Sequence, residues 1–439
     1  MTCTEIRKML PADILYLSDR TPVTDRSIPA TVLDELRNRG LLAPDMQKIH
    51  FCGVMSFSGG LAVFLPRNNS SSRESQALSA HYLLRSLLKF YRDRDTGVFD
   101  GDAGTGLIGG ESLSLATALI DDYQTNGLYV RRIRVDTTNS GKVVWPETIA
   151  RGTAYPSPSG PVYIDSVTTR SRYLTDSETA KIHAFVMREL YQVYGMLWTG
   201  SQGTPERLQN VPRPEGNVFS WVVHLRRELQ FSYSERDIFL LRRLIMYLEI
   251  GRGTGNGGVL IGVRKFHSLW EAMLDECLVG KYRVNNKLPI PVYRAGSDKF
   301  VPVANKNQRT DTVLHNAEKM HVAIIDAKYY DAKTPDSAPG WPDLVKQFFY
   351  QKALSYLVPV GTHITNHFIF PGTEKPLRAV HVAERGKVLV TEADCLSEYP
   401  PIHCHYQDPL ELLRLYSTGE KLVELTREIF TVRKDSDYA

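Results

Sequence analysis

Between residues 309 and 328 the chain spells two short strands joined by a polar turn, and both strands end in charge. The first runs from Arg309 through Thr310, Asp311 and Thr312 to Leu314. The second carries Val322, Ala323, Ile324 and Ile325 before closing on Asp326, Ala327 and Lys328. Asn316 to Lys319 between them reads as a hairpin turn, flanked by β-branched and apolar residues at 311–315 and 320–328. The run bracketed by Val322 and Ile325 reads as a buried strand, so the charges are expected to emerge where it ends. A hairpin symmetric about the turn sets Asp311 across from Ile324. Side chains alternate along a strand, so Asp326 and Lys328 share one face, and Asp311 joins them there by register.

Two carboxylates and a lysine emerging where a buried strand ends are the minimum equipment for metal-dependent cleavage of a phosphodiester. Diagonal neighbours on paired strands lie about 7–8 Å apart, a gap that one hydrated Mg²⁺, about 2.0–2.1 Å from its oxygens, can bridge. The plain alternative is a solvated hairpin with ordinary surface charges. Asp-Ala-Lys alone is a common tripeptide. The upstream Asp311, the apolar run before Asp326 and the pair Tyr329-Tyr330 after Lys328 weigh against that alternative.

These residues resemble the PD-(D/E)xK nuclease superfamily, with Asp311 as the first acid and Asp326-Ala327-Lys328 as the second motif. Thr310 stands where that pattern often has proline. More narrowly, the chain resembles nuclease subunits of the McrC type and the LlaJI/BsuMI restriction endonuclease group, through Phe266 to Glu271, Arg309 to Leu314, Ile324 to Tyr330 and Asp343 to Leu354, with a weaker echo in Trp145 to Thr148. The resemblance implies an α/β protein whose C-terminal domain holds a central mixed sheet flanked by helices, preceded by an α+β N-terminal region. It also implies a Mg²⁺ (or Mn²⁺) cofactor held by Asp311, Asp326 and Glu271, with Lys328 stabilising transition-state charge. Glu271 has a rival reading, since Ser268 and Glu271 have the N-cap and N3 spacing of a capping box at the head of a helix 269–279. A second helix is expected from near Pro342, a residue suited to a first helical turn. On it Lys346, Gln347, Tyr350 and Gln351 fall on adjoining faces. By resemblance Gln347 orients the metal shell or the phosphate, with Gln351 behind it. Lys306, Arg309 and Lys346 are the expected DNA contacts.

The other features bound the reading. A net charge of +4 over 439 residues is too small for binding polyanions by overall charge, so local clusters have to do it. Arg131-Arg132, Arg226-Arg227 and Arg242-Arg243 are such clusters, though on helices such pairs are commonly solvated faces. Five cysteines, an odd count without framework spacing, favour a reducing compartment, and the cytoplasm is expected. No apolar stretch approaches the roughly 20 residues that span a bilayer, and the N-terminus lacks a charged-then-apolar leader pattern. Cys395, His403, Cys404 and His405 match no usual zinc spacing. The glycine run at 251–258 lacks the Gly-Lys-Ser/Thr ending of a phosphate-binding loop and reads as a hinge.

Composition breaks divide the chain into a β-containing block 1–110, an α+β block 111–258 and the nuclease block 259–439. Within them, helices are expected over 76–93, 177–198 and 217–250, and Gly101 to Gly110 reads as a linker. The resemblance implies a Mg²⁺-dependent endodeoxyribonuclease subunit of a restriction system that acts on double-stranded DNA with a separate GTP- or ATP-hydrolysing AAA+ partner of the McrB kind. It implies no membrane association and leaves oligomerisation open. Two other functions compete: a self-sufficient type II or repair-type endonuclease, and a non-catalytic DNA-binding scaffold. The intact Asp311, Asp326 and Lys328 argue against the scaffold.

Overall fold

The computed structural model describes residues 14–58, 60–69, 72–95, 107–199, 204–253, 259–296, 299–304, 308–386 and 391–431. The chain forms two compact units, one built from residues 1–110 and 258–439 and the other from 111–257. The first and third blocks expected from composition are therefore one body. A short strand shared between them, and contacts such as those of Ser86 with the Leu413 carbonyl and Lys89 with the Tyr416 carbonyl, join the two. In the first unit β1 (Leu15–Ser18), β2 (Cys52–Phe57), β3 (Gly60–Leu65), β4 (Leu107–Ile108) and β5 (Leu260–Val263) make one sheet in the order β1-β3-β2-β5-β4. Here β5, from beyond residue 258, pairs antiparallel with both β2 and β4. The segment read as a linker up to Gly110 thus ends in a strand, and its residues 101–106 lie outside the described residues.

Gly53 shows how closely β2 and β5 meet. Its φ is +152°, and a Cβ there would lie 2.1 Å from the Ile261 carbonyl oxygen, so only glycine fits. Helix α1 (Ala30–Asn38) buries Val32 and Leu36 in the core formed with Phe51, Met55 and Phe64. Helix α2 (Arg73–Asp95) covers the stretch expected at 76–93.

The second sheet carries the hairpin. It consists of β6 (Thr312–Asn316), β7 (His321–Ala327), β8 (His363–Pro371), β9 (Ala379–Val380) and β10 (Ile402–Gln407), in the order β6-β7-β8-β10-β9. Strands β6 and β7 run antiparallel, β7, β8 and β10 parallel, and β9 antiparallel to β10, which makes the sheet mixed. All seven residues of β7 are buried, as its apolar run requires. Helices α3 (Phe266–Cys277), α4 (Trp341–Ser355), α5 (Pro409–Thr418) and α6 (Val423–Thr431) complete this half. Ala353 and Leu354 of α4 pack on Val313, Val322 and Ile324, whereas Phe430 of α6 meets His321 on the opposite face.

That opposite face holds a buried polar chain. The His321 ring, Thr365 hydroxyl, His367 ring and His405 ring are linked at 2.7, 2.7 and 3.0 Å, and Glu428 ends the chain 3.2 Å from His405. Cys404 points the other way, into the apolar core with Phe368 and Phe370.

In the second unit, helices Gly110–Asn126, Glu178–Thr199, Val218–Gln230 and Glu235–Gly253 accompany a three-stranded antiparallel sheet of Arg131–Thr138, Val167–Leu174 and Lys142–Val143. The helix expected over 217–250 is two helices, broken at 231–234, and the first starts on an Asn217–Ser220 capping box. The second runs into the glycine stretch as far as Gly253, and 254–258 lie outside the described residues. Among the described residues no helix is long and apolar enough to cross a membrane.

Candidate active site

The turn sits one residue later than Asn316 to Lys319, which moves the pairing by two. Thr312 pairs with Ile325 and Asn316 with His321, so the line of register carries Asp311 to Asp326 rather than to Ile324. Residues 317–320 form the turn, with Met320 at φ +45°. Because the shift is even, each side chain keeps its expected face, and Asp311 comes directly opposite Asp326.

Asp311 as a residue is solvent-exposed, but its carboxylate turns inward and its Oδ2 accepts the Ala327 N–H at 3.0 Å. Loss of surrounding water holds this carboxyl well above the usual carboxylate range. The negative charges of Asp326 and Glu271 push the same way, against the Ala327 N–H. Asp326 is only 6% exposed. Its Oδ2 accepts from Gln347 Nε2 at 3.0 Å and lies 3.0 Å from the Lys328 ammonium. On its other side, Lys328 Nζ donates to Asp343 Oδ1 at 2.8 Å, and the Tyr330 hydroxyl donates to Asp343 Oδ2 at 3.3 Å. Partial burial works against the lysine's charge, but the two carboxylates outweigh it and raise its pKa above the ordinary value, so Lys328 is a firm cation.

Local structure explains these positions. Helix α4 begins at Trp341 with Pro342 in its first turn, as the sequence suggests. Asp343 and Gln347 are one turn apart on it and reach the end of β7 together. Gln347 is fully buried, and its Oε1 has no hydrogen-bond partner among the described residues. Past Lys328, the Tyr329 ring packs on Phe266 and Trp270 of α3 with centroids 5.0 and 6.1 Å away, and its hydroxyl accepts the Arg67 N–H at 2.8 Å. The chain leaving the site is thus fixed between α3 and the first sheet. Thr310 is buried and paired with Asn285.

Of the residues proposed from sequence, Asp311, Asp326, Lys328 and Gln347 come together, and the charge of Glu271 is felt at Asp311. Helix α3 starts at Phe266 with Lys265 at its N-cap and no side-chain cap. Ser268 and Glu271 therefore lie inside the helix, which overturns the capping-box reading. Arg309 and Lys346 are exposed and make no ion pair among the described residues. Lys306 lies outside the described residues. Gln351 turns away from the carboxylates and bonds Asn366 and the Ile364 carbonyl. Sequence reasoning missed Asp343 and Asn285. An acid four residues before Gln347 in a first helical turn was the available signal for Asp343, while Asn285 sits in a turn and gave none.

A family model for the LlaJI restriction endonuclease matches residues 51–382, about three quarters of the chain. The chain belongs to the LlaJI restriction endonuclease family. The matched stretch includes Asp311, Asp326, Lys328, Asp343 and Gln347. A similar relative is the type II restriction enzyme BsuMI component YdjA of Bacillus subtilis (strain 168), 23% identical over 363 residues that cover 77% of this chain and 76% of the relative. Among solved structures, this LlaJI family member is similar to a chain of the half-complex of Thermococcus gammatolerans McrB AAA+ hexamers with bound McrC. That match has 12% identity and a TM-score of 0.41, covering 92% of this chain and 99% of that one. A chain of the T. gammatolerans McrBC complex matches at 13% identity and a TM-score of 0.28, covering 62% and 89%.

Proposed function

We propose that this restriction endonuclease family member is the DNA-cleaving subunit of a restriction system, hydrolysing double-stranded DNA in the cytoplasm at a Mg²⁺ or Mn²⁺ site formed around Asp311 and Asp326. The observation that carries the reading is the meeting of Asp311 and Asp326 across the hairpin, with Lys328 and Gln347 both bound to Asp326.

The residues suit a hard divalent cation. Asp311 is crowded by like charge, and the buried Gln347 Oε1 lacks a donor among the described residues. Mg²⁺ keeps several waters and takes one or two carboxylates plus substrate phosphate, and Asp311 and Asp326 would be that pair. Among the described residues no three His, Cys, Asp or Glu side chains gather where they could hold a metal ion, so Glu271 is not counted as a third ligand and acts on Asp311 through its charge. A divalent cation bound there supplies Lewis-acid charge to the scissile phosphate and acidifies the attacking water.

The chain's own groups do the rest. Lys328 presents a compact positive charge to the oxygens that become negative as the phosphorus adds its fifth ligand. Gln347 holds Asp326 and leaves an amide oxygen to orient water. Arg309, Lys346 and Lys306 meet the flanking phosphates, and those contacts make binding strongly salt-dependent. A separate AAA+ NTPase is the partner this reading assigns, in keeping with the word "component" in the name of the BsuMI relative. The test is cleavage of plasmid DNA with and without a candidate AAA+ partner, in Mg²⁺ and in EDTA, for the parent and for Asp311→Ala and Asp326→Ala. Both variants should lose Mg²⁺-dependent cleavage while staying folded, and near-normal cleavage by either one would sink the assignment.

A further inference from the structure

Thr310 occupies the place where the nuclease pattern often has proline, and it creates a problem that proline lacks. Proline fixes its own φ and has no N–H. Thr310 has a freely variable φ and an N–H, and it is 2% exposed. The Asn285 carboxamide answers both difficulties. Its Oδ1 accepts the Thr310 N–H at 2.9 Å and the Thr310 hydroxyl at 2.9 Å, and its Nδ2 donates to the Thr310 carbonyl at 3.0 Å. A side chain that pairs with both the N–H and the C=O of one residue holds that residue as an added β-strand would.

Asn285 is itself held firmly. It stands in a turn closed by Lys287 and Leu288 N–H bonds to the Val284 carbonyl at 2.7 and 3.1 Å. Val284 and Leu288 are buried with Val313, Val322 and Ile324. On the far side of Asp311, the Thr312 hydroxyl donates to Asp275 at 2.8 Å. Asp311 therefore leaves a backbone gripped on both sides, which is what keeps its carboxylate under the Ala327 N–H and across from Asp326.

We infer that Asn285 is a positioning residue for Asp311, standing in for the missing proline; the inference rests on the metal site proposed above. Support of this kind behind a metal ligand is commonly worth about 10–100-fold in affinity or activity.

The test titrates Mn²⁺ into the EDTA-treated full chain, read by electron paramagnetic resonance, alongside cleavage kinetics. Asn285→Ala should weaken Mn²⁺ binding about tenfold and lower kcat by a similar factor, with KM for DNA within about twofold of the parent. Adding Thr310→Pro should restore Mn²⁺ affinity to within about threefold, because proline fixes its own φ and has no N–H to leave unpaired. Parental Mn²⁺ affinity in Asn285→Ala, alongside a loss in Asp311→Ala, overturns the role of Asn285 and leaves the site standing. Parental affinity in Asp311→Ala overturns both. A double variant that melts like the parent yet recovers no affinity also overturns the proline-substitute role; if Thr310→Pro does not fold, the Asn285→Ala titration decides alone.

Discussion

Lys328→Ala removes a cation held between two carboxylates, and its cost can be worked from the contacts. The ammonium lies 3.0 Å from Asp326 and 2.8 Å from Asp343, and the three side chains keep only 13%, 9% and 16% of their exposure. Removing one partner of a buried ion pair typically costs 3–5 kcal/mol. Since all three groups retain a solvent edge, the low end applies, about 3 kcal/mol. At about 2 °C per kcal/mol for a unit of this size, Tm should fall by roughly 6 °C at pH 8. The left-over Asp326 and Asp343 then face each other with no cation between them. The deficit should shrink when Asp343→Asn is added, giving a double-mutant coupling of about 1 kcal/mol or more. The cleavage rate should fall about 10²–10³-fold, the usual loss for one transition-state stabiliser, with DNA affinity little changed. Calorimetry at pH 8 together with single-turnover cleavage measures all of this. A Lys328→Ala protein that melts within 1 °C of the parent, or whose loss simply adds to that of Asp343→Asn, would refute the reasoning.

Glu271→Gln should lower cleavage at least about tenfold while Tm stays within about 2 °C, because Glu271 lies inside α3 rather than at its cap and its charge reaches Asp311. A fully active Glu271→Gln enzyme removes it from the site. Asp19 gives a pH prediction away from the chemistry. Burial pushes this 3%-exposed carboxyl up to about 6 despite Arg20 and Arg67. The unfolded chain loses this proton near pH 4 while the folded chain keeps it to about pH 6, so Asp19 destabilises the fold progressively as pH rises through that window. Two pKa units amount to about 3 kcal/mol. Asp19→Asn, which can still accept the Phe51 N–H, should remove that slope and raise the urea midpoint at pH 7. An unchanged midpoint there would contradict it.

The arrangement of the candidate site was legible because it is local. Strand alternation put Asp326 and Lys328 on one face, and the resemblance pointed to Gln347 on the helix that follows. Register was not legible, because where the turn sits depends on Met320 adopting a positive φ, which a non-glycine residue seldom does. The error was harmless only because it was even. Contacts across long stretches of sequence left no trace. Nothing in Leu260–Val263 announces that it will lie between Cys52–Phe57 and Leu107–Ile108, and so three expected blocks became two units. The helix at Phe266 began before its apparent cap because its first residues, Phe266, Leu269 and Trp270, are buried, and packing overrode the local signal.

The interrupted first sheet has a consequence in time. As the chain leaves the ribosome, Cys52–Phe57 and Gly60–Leu65 emerge early, but the strand that completes their sheet follows some 200 residues later. Residues 111–257 can close on themselves in the interval, since domains generally fold as units during synthesis. The first unit cannot. Its early strands must wait with an unpaired edge, and Arg67 must wait for Tyr329. A nascent fragment stopping short of residue 311 lacks the carboxylates, and one cut free of the first 110 residues leaves Tyr329 without its anchor. A first unit assembled from residues on both sides of 111–257 therefore stays incomplete until its late strands have been translated.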